Sequence, residues 1–240
     1  MAFRPLPIAP PRARLALALV ALQLAGCAAT RGRRGAPAES GFLGDYSQLA
    51  PAKQVQLGWV NPAAQWSRYA AVELDSVTIW AGSEAAALDP KERQMATDLL
   101  YRALHEELGR RFVVVDEPRA DAVRIRAALT SAKGAKVAMR TVSSVVPQML
   151  VLSTVTGLSA DAATTVGSAS VEIEAVDAVT GERLAAAVDS RAGTKNPFAA
   201  RTDQKWGDVE EASRFWARRV ASFLAEQGVR QKPGAPPLEE

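Results

Sequence analysis

Few residues of this chain are of types that do chemistry. Cysteine occurs once, at Cys27, and histidine once, at His105. A lone cysteine forms no intramolecular disulfide, and one Cys with one His excludes the common zinc sites. A Ser-His-Asp triad would have only His105 as its base, and no nucleophile-elbow motif accompanies it. Adjacent acids occur at Asp116-Glu117 and Glu210-Glu211. The carboxyl pair of a glycosidase comes instead from separate elements facing a cleft, so these read as solvated acids. Gly32, Gly35 and Gly181 make no phosphate-binding loop. The expectation is a chain with no catalytic residue, no cofactor and no metal, hence not an enzyme. Cys27 stands apart, because its thiol can accept lipid.

The surroundings of Cys27 supply that reading. Residues 1–14 carry Arg4, Arg12 and Arg14 with no acid. Leu15–Leu24 is an apolar run of signal-peptide length, too short to span a bilayer. It closes on Leu24-Ala25-Gly26-Cys27. Small residues at 25 and 26 admit a peptidase, and the thiol becomes a thioether to diacylglycerol. This resembles the lipobox of bacterial lipoproteins, which implies palmitate-type acylation and attachment to the membrane through the N-terminal lipid. Stable anchoring takes two or more chains, at roughly 0.8 kcal/mol per buried CH₂. Ala28 rather than Asp follows the cysteine. By its resemblance to enterobacterial sorting signals, that implies the outer membrane over the inner, with the domain in the periplasm.

The leader also accounts for the basic balance of the chain. The whole sequence has a formal charge of +3 and a pI near 9.2. Without the three leader arginines, basic and acidic residues are equal at 26 each. No basic surplus remains for nucleic acid. At 48% apolar, the chain can bury a core.

The elements that must position any site follow from periodicity. Residues 27–40, rich in Gly, Ala and Pro, predict a flexible tether after the signal peptide of 1–26. A single domain is expected over 41–229 and a disordered tail over 230–240. Val72–Trp80 alternates in two opposite phases, which predicts a strand with a bulge near Asp75-Ser76. Asp89-Pro90-Lys91-Glu92 starts a helix whose face is Ala96, Leu99, Leu100, Ala103, Leu104 and Leu108, with Gly109 as its stop. Arg111–Val115 and Asp121–Thr130 read as strands. Ala169–Val179 and Arg183–Arg191 read as a hairpin about Thr180-Gly181-Glu182. Arg124 and Arg126 should lie across from Glu172 and Glu174 on adjacent antiparallel strands. Asp208–Gln227 is a second amphipathic helix, with Asp208 and Glu211 as its capping pair and Gly228 as its end. The fold class is α+β: a two-layer sandwich, a mostly antiparallel sheet of about five strands with two amphipathic helices on one face.

Thr141–Ala160 contains no charged residue. Pro147, Gln148 and many Ser and Thr residues dilute it below a membrane span. It is expected within an irregular apolar insertion over 141–168. A partner surface there would use Val146, Met149, Leu150 and Leu152.

Three motifs carry a wider likeness: Gly41-Phe42-Leu43-x-Asp45-Tyr46-Ser47 after the tether, Ala120-Asp121-Ala122 before a strand, and Val171-Glu172-Ile173-Glu174 with Asp177-x-x-Thr180-Gly181-Glu182. Together they resemble a family of uncharacterised Gram-negative envelope lipoproteins. The resemblance implies placement and fold and transfers no site. The expected function is a non-enzymatic binding or assembly and transport-accessory module with an envelope protein or polymer as partner. The alternatives are a structural lipoprotein that oligomerises through Thr141–Ala160, and a hydrolase of envelope glycan or lipid.

Overall fold

A computed structural model describes residues 30–32, 39–133, 167–193 and 206–237. Among these, nine strands make one sheet: β1 (Thr30–Gly32), β2 (Ala50–Pro51), β3 (Leu57–Val60), β4 (Ala71–Leu74), β5 (Thr78–Ile79), β6 (Val113–Val115), β7 (Ala122–Lys133), β8 (Ser168–Asp177) and β9 (Arg183–Gly193). The helices are α1 (Pro90–Arg111) and α2 (Gly207–Gln227). The sheet order is β2-β3-β9-β8-β7-β4-β6, with β1 also on β9 and β5 also on β7. The fold is α+β as expected, but the sheet is larger than five strands. It is also mixed, because β7 pairs in parallel with β4 and β5, and β4 with β6.

The long strands form where apolar residues alternate. Val123, Ile125, Ala127 and Leu129 of β7 enter the main core with Val171, Ile173 and Ala175 of β8. Ala96, Leu100, Leu104 and Leu108 of α1 and Val209, Ala212, Trp216 and Leu224 of α2 meet them there. All four of the α1 residues are fully buried, and truncating one such leucine to alanine costs about 2–5 kcal/mol. Both helices thus cover one sheet face.

The phase slip near Asp75-Ser76 is real. Leu74 pairs with Ile125 and Thr78 with Ala128. Residues 75–77 therefore stand opposite residues 126 and 127 alone. The extra residue divides the expected single strand into β4 and β5. The β7–β8 pairing is antiparallel as expected, and it sets Arg126 opposite Glu174. Arg124 instead faces Val176 across β8, and its guanidinium lies 3.0 Å from Glu73 of β4. Glu172 faces Ala128. The charges split because the two rows are offset by one pair.

Asp89 caps α1 by accepting from the Glu92 N–H at 2.9 Å. The helix does not stop at Gly109 but runs to Arg111. Segment 230–237 stabilises that extra turn, although its composition predicts disorder. Lys232 donates its ammonium to the Gly109 carbonyl at 2.8 Å and its N–H to the Arg111 carbonyl at 2.7 Å. The buried Arg111 side chain donates to the carbonyls of Pro236 and Pro237 at 2.6 and 3.0 Å. In α2, Trp206 takes the cap position. Asp208 lies two residues inward and accepts from the Gly167 N–H at 2.7 Å, so it joins the helix to the start of β8 rather than capping it. Gly228 ends α2 with φ +96°, a left-handed conformation that glycine adopts without side-chain strain.

Three residues of the expected tether, Thr30–Gly32, are a strand on β9. One row of pairings then crosses four strands: Lys133–Ser168–Ala192–Arg31.

Candidate functional site

The two sheet faces differ in what covers them. On the face away from the helices, residues 39–49 lie over β7, β8 and β9. Leu43 is buried there with Ala186 and Val188, and Phe42, Tyr46, Leu49 and Leu57 pack around them. Beneath lie two buried acids, Glu172 and Glu174. Glu172 accepts from the Ser40 N–H at 2.9 Å and the Tyr46 hydroxyl at 2.6 Å. Glu174 accepts from Arg126 at 2.5 Å and Arg183 at 2.9 Å. Arg183 also donates to the carbonyls of Asp45 and Leu43. Each carboxylate is therefore held on both oxygens, one by neutral donors and one by two guanidinium groups.

This explains the Gly-Phe-Leu-x-Asp-Tyr-Ser motif residue by residue. Gly41 has φ +98°, and a Cβ there would come 3.4 Å from the Trp80 indole nitrogen. Phe42 meets Trp80 edge to face at 5.5 Å and lies under Arg126. Asp45 accepts from the Ser47 N–H at 2.8 Å, and that bond holds its carboxyl below the usual value. The Tyr46 hydroxyl accepts from the N–H groups of Gly41 and Leu43 while donating to Glu172. Burial, then the bond to Glu172, pushes this phenol up. The first and third sequence motifs are thus two halves of one clamp. Its job is to hold a segment, and its acids are spent on that.

The helix-covered face contains the candidate site, a cleft of about 440 Å³. Its floor is strands β3, β8 and β9, its roof is α2, and its mouth is Ala52–Val55. That volume lies within the roughly 300–1,000 Å³ of small-molecule sites. The cleft exists because small residues meet there. Gly58 pairs with Ala187, which pairs with Ile173; Val60 pairs with Ala185, which pairs with Ala175. Val220, Phe223 and Leu224 of α2 stand opposite. The polar lining is Lys53, Gln54 and Arg219, apart from the Trp59 indole and backbone. Arg219 is held by both oxygens of Glu226, at 3.1 and 3.3 Å.

Polar anchors buried under α2 keep the roof in place. The Trp216 indole donates to Asp189 of β9 at 2.7 Å. Burial pushes the Asp189 carboxyl up, against the bond from Trp216 and the charge of Arg191. Arg191 lies 3.5 Å over the Phe215 ring, and burial pushes its guanidinium down. The far end of β8 has a third buried acid. Asp177 accepts from the N–H groups of Val179 and Thr180 at 3.0 and 2.8 Å and from the Tyr69 hydroxyl at 3.0 Å, and Arg68 lies 3.4 Å away. Burial and then Asp177 push the Tyr69 phenol up to about 12.

The residues singled out in sequence fall elsewhere. Cys27 lies outside the described residues, as do Val146, Met149, Leu150 and Leu152. His105 is exposed on α1 and stacks on Tyr101 at 5.9 Å. Asp116 and Glu117 are exposed after β6, and Glu210 pairs with Arg214 at 2.5 Å. Among the described residues, no three His, Cys, Asp or Glu side chains group to hold a metal ion. No described helix is long and apolar enough to cross a membrane. Sequence reasoning missed the cleft. Its signal is the run Ala185-Ala186-Ala187 facing Gly58, and alanine reads as neutral in any pattern.

Among the solved structures similar to this chain are two of PelC. One is a PelC dodecamer from Paraburkholderia phytofirmans in space group P6, at 12% identity and TM-score 0.38, covering 72% of this chain and 96% of that one. The other is a point-substituted PelC dodecamer from the same organism in space group C2, at 14% identity and TM-score 0.33, covering 65% and 94%. Comparison with proteins of curated function finds no match. A family model described as protein of unknown function, DUF3313, matches residues 38–220, and the chain belongs to that family.

Proposed function

We propose that this protein is a lipid-anchored envelope lipoprotein whose periplasmic domain is a non-enzymatic binding module, serving assembly or transport. The observation that carries the binding function is the apolar cleft between β3, β8, β9 and α2. Among the described residues, its lining has one lysine, one glutamine and an arginine already paired with Glu226, and no acid or histidine. Such a lining holds an apolar ligand, and its charged groups stand at the mouth rather than converging on a reacting centre. The buried acids Glu172, Glu174, Asp177 and Asp189 are engaged in structural bonds elsewhere.

Placement rests on the leader. Leu24-Ala25-Gly26-Cys27 after an apolar run supports lipidation at Cys27, and Ala28 supports sorting to the outer membrane. The experiment is metabolic labelling with tritiated palmitate followed by fractionation. The native chain is expected to carry label and sediment with membranes. Cys27→Ser is expected to lose the label and its attachment through lipid. A Cys27→Ser chain still labelled and still membrane-bound would overturn the anchoring.

A further inference from the structure

The cleft has a shape and a charge that narrow its ligand. Its volume is about 440 Å³, and its walls are mostly aliphatic. Between Ile173 and Val60 the floor consists of Ala187, Ala185 and Ala175, whose side chains rise no more than a methyl group above the sheet, while Gly58 beside Ala187 lies under Ala52 and Val55 of the mouth, each 3.4 Å from where its Cβ would stand. Val220, Phe223 and Leu224 close the strip from above. A narrow strip of this kind is filled by an unbranched chain, whereas a ring or branched group leaves unfilled gaps along it. At the mouth, the Arg219 charge is balanced by Glu226. Lys53 is exposed beside Gln54 and forms no ion pair among the described residues. The mouth is therefore net positive.

We propose that the cleft binds the acyl chain of a single-chain anionic amphiphile, with the chain along the Ala187, Ala185 and Ala175 strip and the anionic head at Lys53. This rests on the binding-module reading above and names the ligand of that same site. Burying the chain supplies the affinity, and the lysine sets the sign of the head.

The test uses the full chain in phosphatidylcholine nanodiscs and a palmitate probe with a photoreactive diazirine in its chain. Crosslinked peptides are mapped by mass spectrometry. Crosslinks are expected in residues 173–187 and 219–224. Unlabelled palmitate should suppress them, and hexadecyltrimethylammonium, of equal chain length and opposite charge, should need at least tenfold more. Lys53→Glu should weaken labelling about tenfold. Ala187→Phe fills the strip from the floor and Val220→Trp from the roof. Each should abolish crosslinking in these peptides, and thermal melting identifies which variant keeps the native fold. Crosslinks confined to other peptides, unchanged labelling in a folded filling variant, or equal competition by the cationic amphiphile would each overturn the proposal. The Cys27→Ser fractionation reads the anchor separately, so a failed ligand leaves the anchoring standing. A failed anchor likewise leaves the cleft result standing.

Discussion

Burial and hydrogen bonding act in opposite directions on the acids of this protein, and the balance differs from one to the next. At Asp177, burial raises the carboxyl, but the bonds from Thr180, Tyr69 and Val179 together outweigh it and hold the group below 3.8. At Asp189, burial wins and the carboxyl is raised. The linkage signs therefore differ. Asp177 stabilises the fold fully above its ordinary value, and that contribution is lost as pH falls through its lower folded value. Asp189 takes up a proton more readily in the folded state, so its contribution declines as pH rises from 3.8 through its raised folded value. Asp177→Asn should be less stable at neutral pH by about 1–3 kcal/mol, the cost of leaving a buried partner such as the Tyr69 hydroxyl poorly bonded. It should also lose less stability on acidification than the native chain. Urea midpoints at pH 7 and pH 3 check both statements, and a parallel loss in the two proteins would count against Asp177 as the acid-sensitive group. None of this was legible beforehand. Sequence placed Asp177 in a turn motif but carried no sign that Tyr69, 108 positions away, donates to it.

The segment 39–49 is the element with the least regular structure and the densest polar anchoring. Tyr46 is its central pin, since one hydroxyl serves Glu172, Gly41 and Leu43. Tyr46→Phe should leave one oxygen of the fully buried Glu172 unpaired, at a cost of about 1–3 kcal/mol. Fluorescence of Trp80, which Phe42 touches, should report local loosening at denaturant concentrations below the global transition. A variant with native stability and an unchanged Trp80 signal would show that the pin is not needed. The regular elements were more legible than this one. Helix α1 could be read because a capping Asp, a proline and a leucine period agree. The β8–β9 hairpin could be read because Gly181 sits between two alternating runs. Strands β2 and β3 could not, because Pro51 and Gly58 break the apolar alternation that marks a strand. The end of α1 was misplaced, and the role of Asp208 misread, because partners distant in sequence, Lys232 and Gly167, bond the last turn of α1 and the Asp208 carboxylate; the end of α2 at Gly228 was read correctly.

At the scale of the whole molecule, the chain closes on itself through its last described residues. Segment 230–237 runs past Tyr69 and Arg111, and the Arg230 N–H donates to the Tyr69 carbonyl at 3.0 Å. Ending the chain after Val229 should strip the buried Arg111 guanidinium of the Pro236 and Pro237 carbonyls. The penalty for a buried donor left unpaired is about 1–3 kcal/mol, and more for a charged one. Thermal melting of the truncated chain measures it, and an unchanged midpoint would mean that water replaces both carbonyls. Sheet order was the least legible feature at this scale. Parallel neighbours such as β4 and β7 are joined through α1 and β6, and no local residue pattern encodes which strands such a crossover brings together. The row Lys133–Ser168–Ala192–Arg31 has a directional consequence. Cys27 lies three residues before Thr30, which pairs with Gly193 at that end of the sheet. On the proposed anchoring, this end is the foot of the molecule. Strands rise about 3.3 Å per residue, so the Val179–Glu182 turn stands roughly 30 Å higher along β9. The cleft, at Ala185 and Ala187, then lies along β9 nearer the Val179–Glu182 turn than the Thr30–Gly193 end.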